Sequence, residues 1–307
     1  MNELPIVEYN TLRVDGVDVF YRSAGASSAP VLLLLHGFPA SSFQFRNLIP
    51  LLARKYRIVA PDLPGFGFTV VPEERNYDYI FDNLAKTTQA FVDALGLKQF
   101  AIYVFDYGAP VGFRLATSKP EQITAIITQN GNAYEEGLVP AFWEHIKIYW
   151  KASHKFDPTL SSQEARNLLS LLTEPVTKYQ YTEGVPEGLL SRIDPAAYAL
   201  DSFLLARQGQ AAIQLSLFYD YQTNVAQYPA WQQYFRTKSP RVLALWGKND
   251  PAFGPAGAEG YKKDLKDVEV VLVDTGHFAL ETHVELYAAK IDEFLEGVLS
   301  GGKTGTP

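Results

Sequence analysis

The sequence predicts an α/β protein: a mostly parallel, twisted sheet flanked by helices, with a helical cap inserted between its later strands. Three observations predict it. Short apolar, β-rich runs recur along the chain. Helix-like segments separate several of them. One long interval, 134–236, then breaks the alternation without offering a buried strand. The composition allows a large core, because hydrophobic residues make up 47% and charged residues only 20%, which excludes global disorder.

The first element is a hairpin. Residues 13–22 (RVDGVDVFYR) alternate apolar and polar about a turn at Gly16, as an antiparallel pair at a sheet edge does. The pattern then changes. VLLLL (31–35), YRIVA (56–60), FAIYVF (100–105), ITAIIT (123–128), RVLALW (241–246) and VEVVLV (268–273) are short and nearly continuous in apolar residues. Such runs suit strands covered on both faces, which is the situation in a parallel sheet. Helix-like segments at 43–54, 79–95, 109–118 and 284–299 supply right-handed crossovers. The interval 134–236 is rich in Tyr, Gln, Leu and Ala. A structureless loop of that length does not suit a compact domain, so it reads as a helical cap over the strand ends. The expected organisation is a core of 1–133 and 237–299, a cap of 134–236, and a flexible tail, SGGKTGTP, at 300–307.

Charge and cysteine usage exclude several classes. The net charge is −7 and no acidic or basic block stands out, so neither nucleic acid nor an anionic membrane is an expected partner. There is no Cys, hence no disulfide, thiolate metal site or cysteine nucleophile. The longest aliphatic run, Val31 to Leu35, is far too short to span a bilayer, and MNELPIVEYN lacks a basic region followed by an apolar core. A cytoplasmic protein is expected. No metal cluster, phosphate loop or dinucleotide fingerprint calls for a cofactor; Pro64-Gly65-Phe66-Gly67 reads as a lone turn. A homodimer is left open.

Chemistry concentrates where strands end. FAIYVF runs into Asp106-Tyr107-Gly108-Ala109-Pro110 and then a helix-like segment. A residue on such a sharp turn needs small neighbours, and Gly108 and Ala109 provide them, although Val104 is larger than the Gly usual at its position. The helix start favours a carboxylate on Asp106. His36-Gly37-Phe38-Pro39 follows VLLLL, where a Gly-containing loop can aim N–H groups at an oxyanion; the Phe38–Pro39 bond suits a cis turn, and His36 suits a brace for the loop. Asp250 lies in a turn just past RVLALWG, and His277 directly follows the last strand. His145 and His154 fall in the cap and His283 near a helix start. Asp106, Asp250 and His277 thus stand in the order nucleophile, acid, base, each immediately beyond a parallel strand, where α/β sheets build their sites.

With HGFPASSFQFRNLIPLLA, APDLPGFGFT, DYGAPVGFRLA, WGKNDPAF and DTGHFALE in view, residues 10–299 resemble the α/β-hydrolase superfamily. Within it they resemble the branch of epoxide hydrolases, haloalkane dehalogenases and fluoroacetate dehalogenases. The resemblance implies that Asp106 attacks an sp³ carbon to give an ester. His277, oriented by Asp250, then activates the water that cleaves it, and the N–H groups of Phe38 and Tyr107 hold the oxyanion.

Leaving-group chemistry divides the branch. Epoxide opening needs an O–H donor, and the family's cap tyrosines match Tyr149 and Tyr221, with Tyr219 as the alternative to Tyr221. A halide needs N–H donors. The Trp that haloalkane dehalogenases carry after the nucleophile is Tyr107 here, whereas Trp150 could serve a halide. The Arg residues by which fluoroacetate dehalogenases grip a carboxylate are missing beside Asp106, and the nearest is Arg114. The expected activity is hydrolysis of a small apolar epoxide to a diol. The alternatives are halide release from a haloalkane or haloacid, an unusual C–C or lactone hydrolysis that an Asp nucleophile disfavours, and a non-catalytic small-molecule receptor on the same fold.

Overall fold

Asp15 and Gly16 both hold positive φ (50° and 74°), the geometry that a two-residue hairpin turn demands. They join β1 (Glu8–Val14) to β2 (Val17–Ala24) in antiparallel register, with Val14 opposite Val17. The hairpin extends beyond the predicted 13–22 at both ends. β1 is an edge strand and mostly exposed, so its outer half carries little apolar alternation to read. The computed structural model describes residues 5–152 and 162–301.

The remaining strands are β3 (Val31–Leu35), β4 (Arg57–Pro61), β5 (Phe100–Phe105), β6 (Ile123–Gln129), β7 (Val242–Gly247) and β8 (Val268–Val273). One sheet takes the order β1-β2-β4-β3-β5-β6-β7-β8. β1, β2 and β4 pair antiparallel, and every pair from β4 through β8 is parallel. Alternate residues feed two separate cores. Leu33, Leu35, Ile102 and Val104 meet α2 (after β4) and α3 (after β5) on one face. Leu32, Leu34, Tyr103 and Phe105 meet α1 (after β3) and the last helix on the other. The helices are α1 (Leu48–Leu52), α2 (Phe81–Ala94), α3 (Gly108–Ser118), α4 (Pro140–Ala152), α5 (Gln163–Leu168), α6 (Glu174–Thr182), α7 (Pro195–Leu205), α8 (Gln210–Lys238), α9 (Pro255–Gly260) and α10 (Ala279–Gly301). α10 begins five residues before the predicted 284 because it bends at His283, whose φ of −134° splits the helical period. Of the expected tail, Ser300 and Gly301 end α10, and 302–307 lie outside the described residues.

Helices α4 to α8 occupy the chain between β6 and β7. They rest on the loops beyond the strands' carboxyl ends. Gln214 donates to the Gly65 carbonyl at 3.2 Å, Ser216 to Tyr79 at 2.9 Å, and Phe81 N–H to Asp220 at 2.7 Å. On the opposite side Asn249 donates to the Gly184 carbonyl at 2.8 Å. Arg46, bound to Glu281 at 2.7 and 2.9 Å, reaches Asp194 at 3.3 Å. α8 continues two residues past the predicted end at 236 and stops at Ser239, which has a φ of 46°. Among the described residues no helix is long and apolar enough to cross a membrane.

Candidate active site

β5 delivers Asp106 onto a turn with φ = 48°, uncommon for a residue with a side chain. The turn closes when Ala109 N–H donates to the Asp106 carbonyl at 3.0 Å, and α3 starts at once. Two glycines make room. A β-carbon on Gly108 would collide with the Leu35 carbonyl, and one on Gly37 with the Asp106 side chain itself. The bulk of Val104 is absorbed from the next turn of α3, where Gly112 lacks the β-carbon that would strike it.

The loop after β3 runs alongside. Phe38 N–H donates to Asp106 Oδ1 at 2.6 Å, and the Tyr107 N–H supports the same carboxylate. The Phe38–Pro39 peptide is cis. His36 ties the loop down: its Nδ1 donates to the Gly37 carbonyl at 3.0 Å, and its Nε2 accepts from Leu63 N–H at 2.9 Å. Both ring nitrogens are thus committed to backbone. Asp62, passed over in the sequence, finishes the bracing by accepting from Ser42 N–H at 2.7 Å and Phe68 N–H at 2.8 Å.

β7 and β8 bring the other two groups. His277 Nδ1 lies 2.6 Å from Asp250 Oδ2; the carboxylate accepts, so Nδ1 carries the hydrogen and Nε2 is left for another partner. Asp250 Oδ1 accepts from Ala252 N–H at 2.7 Å and Phe253 N–H at 3.1 Å. Asn130, at the end of β6, gives a further donor to Oδ2 at 2.7 Å. The same side chain clamps Gly247 from both sides, at 2.9 and 3.1 Å, and so fixes β6 to the strand that carries Asp250. Sequence reasoning missed Asn130. Its signal, a polar residue directly after a buried strand, matched that of the residues it did select.

Asp106, Asp250 and His277 are all buried. Burial pushes the Asp106 carboxyl up to about 6, against the pull of His277 and of the Phe38 and Tyr107 N–H groups. Burial alone would lower His277, but the carboxylates of Asp250 and Asp106 outweigh it and hold the imidazole above its ordinary value.

Aromatic rings roof the site. Phe218 of α8 meets Phe38 at 5.0 Å, and Tyr221 meets Tyr107 at 5.7 Å. Tyr221 is buried, and its hydroxyl feels the charge of Asp106. The Tyr107 hydroxyl is buried with no hydrogen-bond partner among the described residues. Tyr149 is buried between α4 and α8, edge-on to Tyr219 at 5.6 Å. Trp150 lies parallel to Tyr221 at 6.5 Å, but the structure corrects its expected part. Its indole N–H donates to the Phe218 carbonyl at 2.7 Å and is not offered to a halide. Trp143 likewise donates to the Ala252 carbonyl at 2.9 Å. Arg114 is spent on Asp82, Asn224 and the Pro110 carbonyl. His145 lines a surface groove of about 600 Å³ between α4 and α5, and His154 lies outside the described residues. No group of three or more His, Cys, Asp or Glu among the described residues could hold a metal ion.

A strand–elbow–helix carrying an acidic residue, with an acid–base pair beyond the next strands of the same sheet, defines a hydrolase of the α/β-hydrolase class. The chain matches the alpha/beta hydrolase fold family over residues 30–284 and belongs to it. It is 52% identical over 288 residues to the uncharacterized hydrolase YNR064C of Saccharomyces cerevisiae, covering 93% of this chain and 96% of that one. It is 28% identical over 244 residues to a haloalkane dehalogenase of Mycobacterium marinum, covering 77% and 74% respectively. Among solved structures, the haloalkane dehalogenase DbeA of Bradyrhizobium elkani superposes with a TM-score of 0.78 at 20% identity, over 96% of this chain and all of that one, a likeness of fold.

Proposed function

We propose that this hydrolase opens small apolar epoxides to diols through an ester on Asp106. The observation that carries the reading is a phenol, Tyr221, packed over an elbow that bears a buried carboxylate rather than a hydroxyl. Attack by a carboxylate on an acyl carbon would give a reactive anhydride, whereas attack on an sp³ carbon gives a stable ester. Phe38 N–H occupies Oδ1, which leaves Oδ2 to attack. The carbon–oxygen bond of the epoxide breaks, and its oxygen takes a proton from a phenol. Burial holds Tyr221 well above the usual tyrosine range, so it is protonated at neutral pH and able to donate. In the second step His277 Nε2 takes a proton from water, the hydroxide adds to the ester carbonyl, and the Phe38 and Tyr107 N–H groups receive the oxyanion.

Halide release is the second reading, favoured by the haloalkane dehalogenase relative of Mycobacterium marinum. Against it stand the committed N–H groups of Trp143 and Trp150, and for a haloacid the committed guanidinium of Arg114. Styrene oxide and 1-bromobutane, offered in parallel, separate the two. Diol formation is expected, with Tyr221→Phe and Tyr149→Phe each slowing epoxide alkylation by about ten- to a hundredfold. Bromide release without diol would replace this reading with the dehalogenase. Turnover of neither would favour the receptor.

The alkylation step has a predicted pH dependence. Only ionised Asp106 attacks, and its carboxyl is pushed up to about 6. Single-turnover alkylation should therefore be flat above that value and fall tenfold per pH unit below it. A rate unchanged down to pH 4.5 would contradict the assignment.

A further inference from the structure

α6 ends against the two loops that carry His277 and Asp250. The ring of Tyr181 lies flat on Phe278, the residue after His277, with centroids 3.8 Å apart and planes 3° from parallel. Phe105, the residue before Asp106, meets Phe278 at 5.3 Å and the His277 ring at 4.5 Å. The Tyr181 hydroxyl donates to Asp201 Oδ2 of α7 at 2.6 Å, and both side chains are buried. The main chain follows the same path. A β-carbon on Gly276 would collide with the Glu183 carbonyl, and one on Gly184, whose φ is 74°, with the Asn249 carbonyl. The segment 181–184 of the cap thus presses on the neighbours of both members of the acid–base pair.

The core holds His277 at two points. Asp250 takes its Nδ1–H, and Gln129 donates to its carbonyl at 3.1 Å. From the cap, support reaches it through Phe278, which Tyr181 covers. Tyr181 is in turn fixed by Asp201, on a helix moored to the start of α10. Arg46 joins Asp194, the cap residue of α7, to Glu281, and Arg192 donates to the Thr282 carbonyl at 2.9 Å. Neither Tyr181 nor Asp201 has a part in the steps above. The cap therefore meets the site twice: α8 roofs the elbow that bears Asp106, and α6 bears on the loop that presents the base. Loss of the Tyr181 ring would open space beside Phe278, and His277, its chain neighbour, would no longer be held to one position.

We infer that Tyr181, anchored by Asp201, is a positioning residue for His277, through which the docked cap supports hydrolysis of the Asp106 ester and not its formation. This role rests on the reading of an ester at Asp106 and is indifferent to the leaving group. Alkylation uses Asp106 and a phenol of the cap, neither of which touches Tyr181 in a printed ring contact or hydrogen bond of its own. Hydrolysis needs His277 Nε2 within hydrogen-bond reach of a water that also faces the ester carbonyl, and that requirement is strict. Burial pushes the Asp201 carboxyl up to about 8, so at neutral pH it is chiefly the neutral acid, and an asparagine amide can stand in for it as acceptor of the Tyr181 O–H.

The test follows formation and decay of the Asp106 adduct separately, by rapid quench and intact-protein mass spectrometry, in a single turnover of styrene oxide. Tyr181→Leu is expected to form the adduct within about twofold of the wild-type rate and to release it about a hundredfold more slowly, the cost of a base displaced by about an ångström. Tyr181→Phe keeps the stack and loses only the anchor, so it should slow decay about fivefold, and it carries the test if Tyr181→Leu folds poorly. Asp201→Leu should resemble Tyr181→Phe, and Asp201→Asn should recover most of the rate. A merely structural role would slow both steps together or neither, and either result overturns the positioning of His277. If wild type forms neither adduct nor diol, the epoxide reading fails, and the positioning is then decided without substrate, from the His277 Nδ1–H resonance of the free enzyme. Its exchange with water should quicken in Tyr181→Leu and stay slow in Asp201→Asn. Unchanged exchange in Tyr181→Leu would overturn the positioning by itself.

Discussion

Asp106→Ala is expected to lose turnover by at least about 10⁴-fold, in line with removal of a nucleophile elsewhere, while melting at or above the wild-type temperature. The two halves have separate causes. The kinetic half follows from position: no other carboxylate has its oxygen held by the Phe38 N–H at the head of α3. The stability half follows from burial. The folded protein holds Asp106 at about 6 against an ordinary 3.8, so in that window it takes up a proton that the unfolded chain does not. Wild-type stability therefore rises as pH falls from about 6 toward 4, and at neutral pH the buried carboxylate destabilises the fold, by up to roughly 3 kcal/mol. Alanine keeps the β-carbon that the elbow already accommodates and removes the charge. Thermal melts at pH 7 and pH 4.5 should show the variant gaining on wild type at the higher value. Turnover within a few-fold of wild type would end Asp106's candidacy, and a large loss of melting temperature would make the activity result uninformative about chemistry.

The sheet was legible because its central strands are covered on both faces. β5 and β7 are buried at every position, which leaves unbroken apolar runs that nothing else in the chain imitates. The three groups near strand ends were legible because the runs locate the loops that carry them: Asp106 directly follows β5, Asp250 lies three residues past β7 and His277 four past β8. Asn130 ends β6 in the same way. Yet its use depends on β6 lying beside β7, a fact of strand order that no local pattern contains. The elbow's departure at Val104 looked like a weakness only because its compensation, Gly112, is eight residues further on. The inserted helices were hardest. The chain has 18 Tyr, and the buried stripe of α8 includes Gln210, Gln214 and Asn224 among its apolar residues, so hydrophobic periodicity did not separate Tyr221 from Tyr219. Nor could spacing reveal that the Trp150 N–H is taken by a main-chain carbonyl one helix away.

His277→Gln is expected to convert the enzyme into its own ester. Alkylation should proceed within a few-fold of the wild-type rate, hydrolysis should fall by at least about 10³-fold, and one epoxide mass per chain should accumulate. The reasoning turns on what happens to the imidazole during the cycle. Burial works against its protonation, and only the two carboxylates, Asp250 and Asp106, hold it above its ordinary value. Ester formation neutralises Asp106 and removes one of them. The imidazole then gives up its hold on a proton at the moment a base is required, while Asp250, 2.6 Å away, keeps Nε2 correctly presented. Glutamine fills similar space and can still donate to Asp250, but it accepts no proton. Asp250→Asn should slow the same step by less, because the imidazole remains and only its orientation and charge support are lost. Intact-protein mass spectrometry checks the adduct, and peptide mapping should locate it on the segment that holds Asp106. An independent reading comes from a single turnover of excess wild-type enzyme in ¹⁸O water. The oxygen delivered to the product comes from the carboxylate and the water oxygen replaces it, so the label should appear in Asp106 and not in the diol. Unmodified His277→Gln protein after long incubation with an epoxide that wild type turns over, together with label in the first-formed diol, would mean that water attacks the substrate directly and that Asp106 is a base rather than a nucleophile.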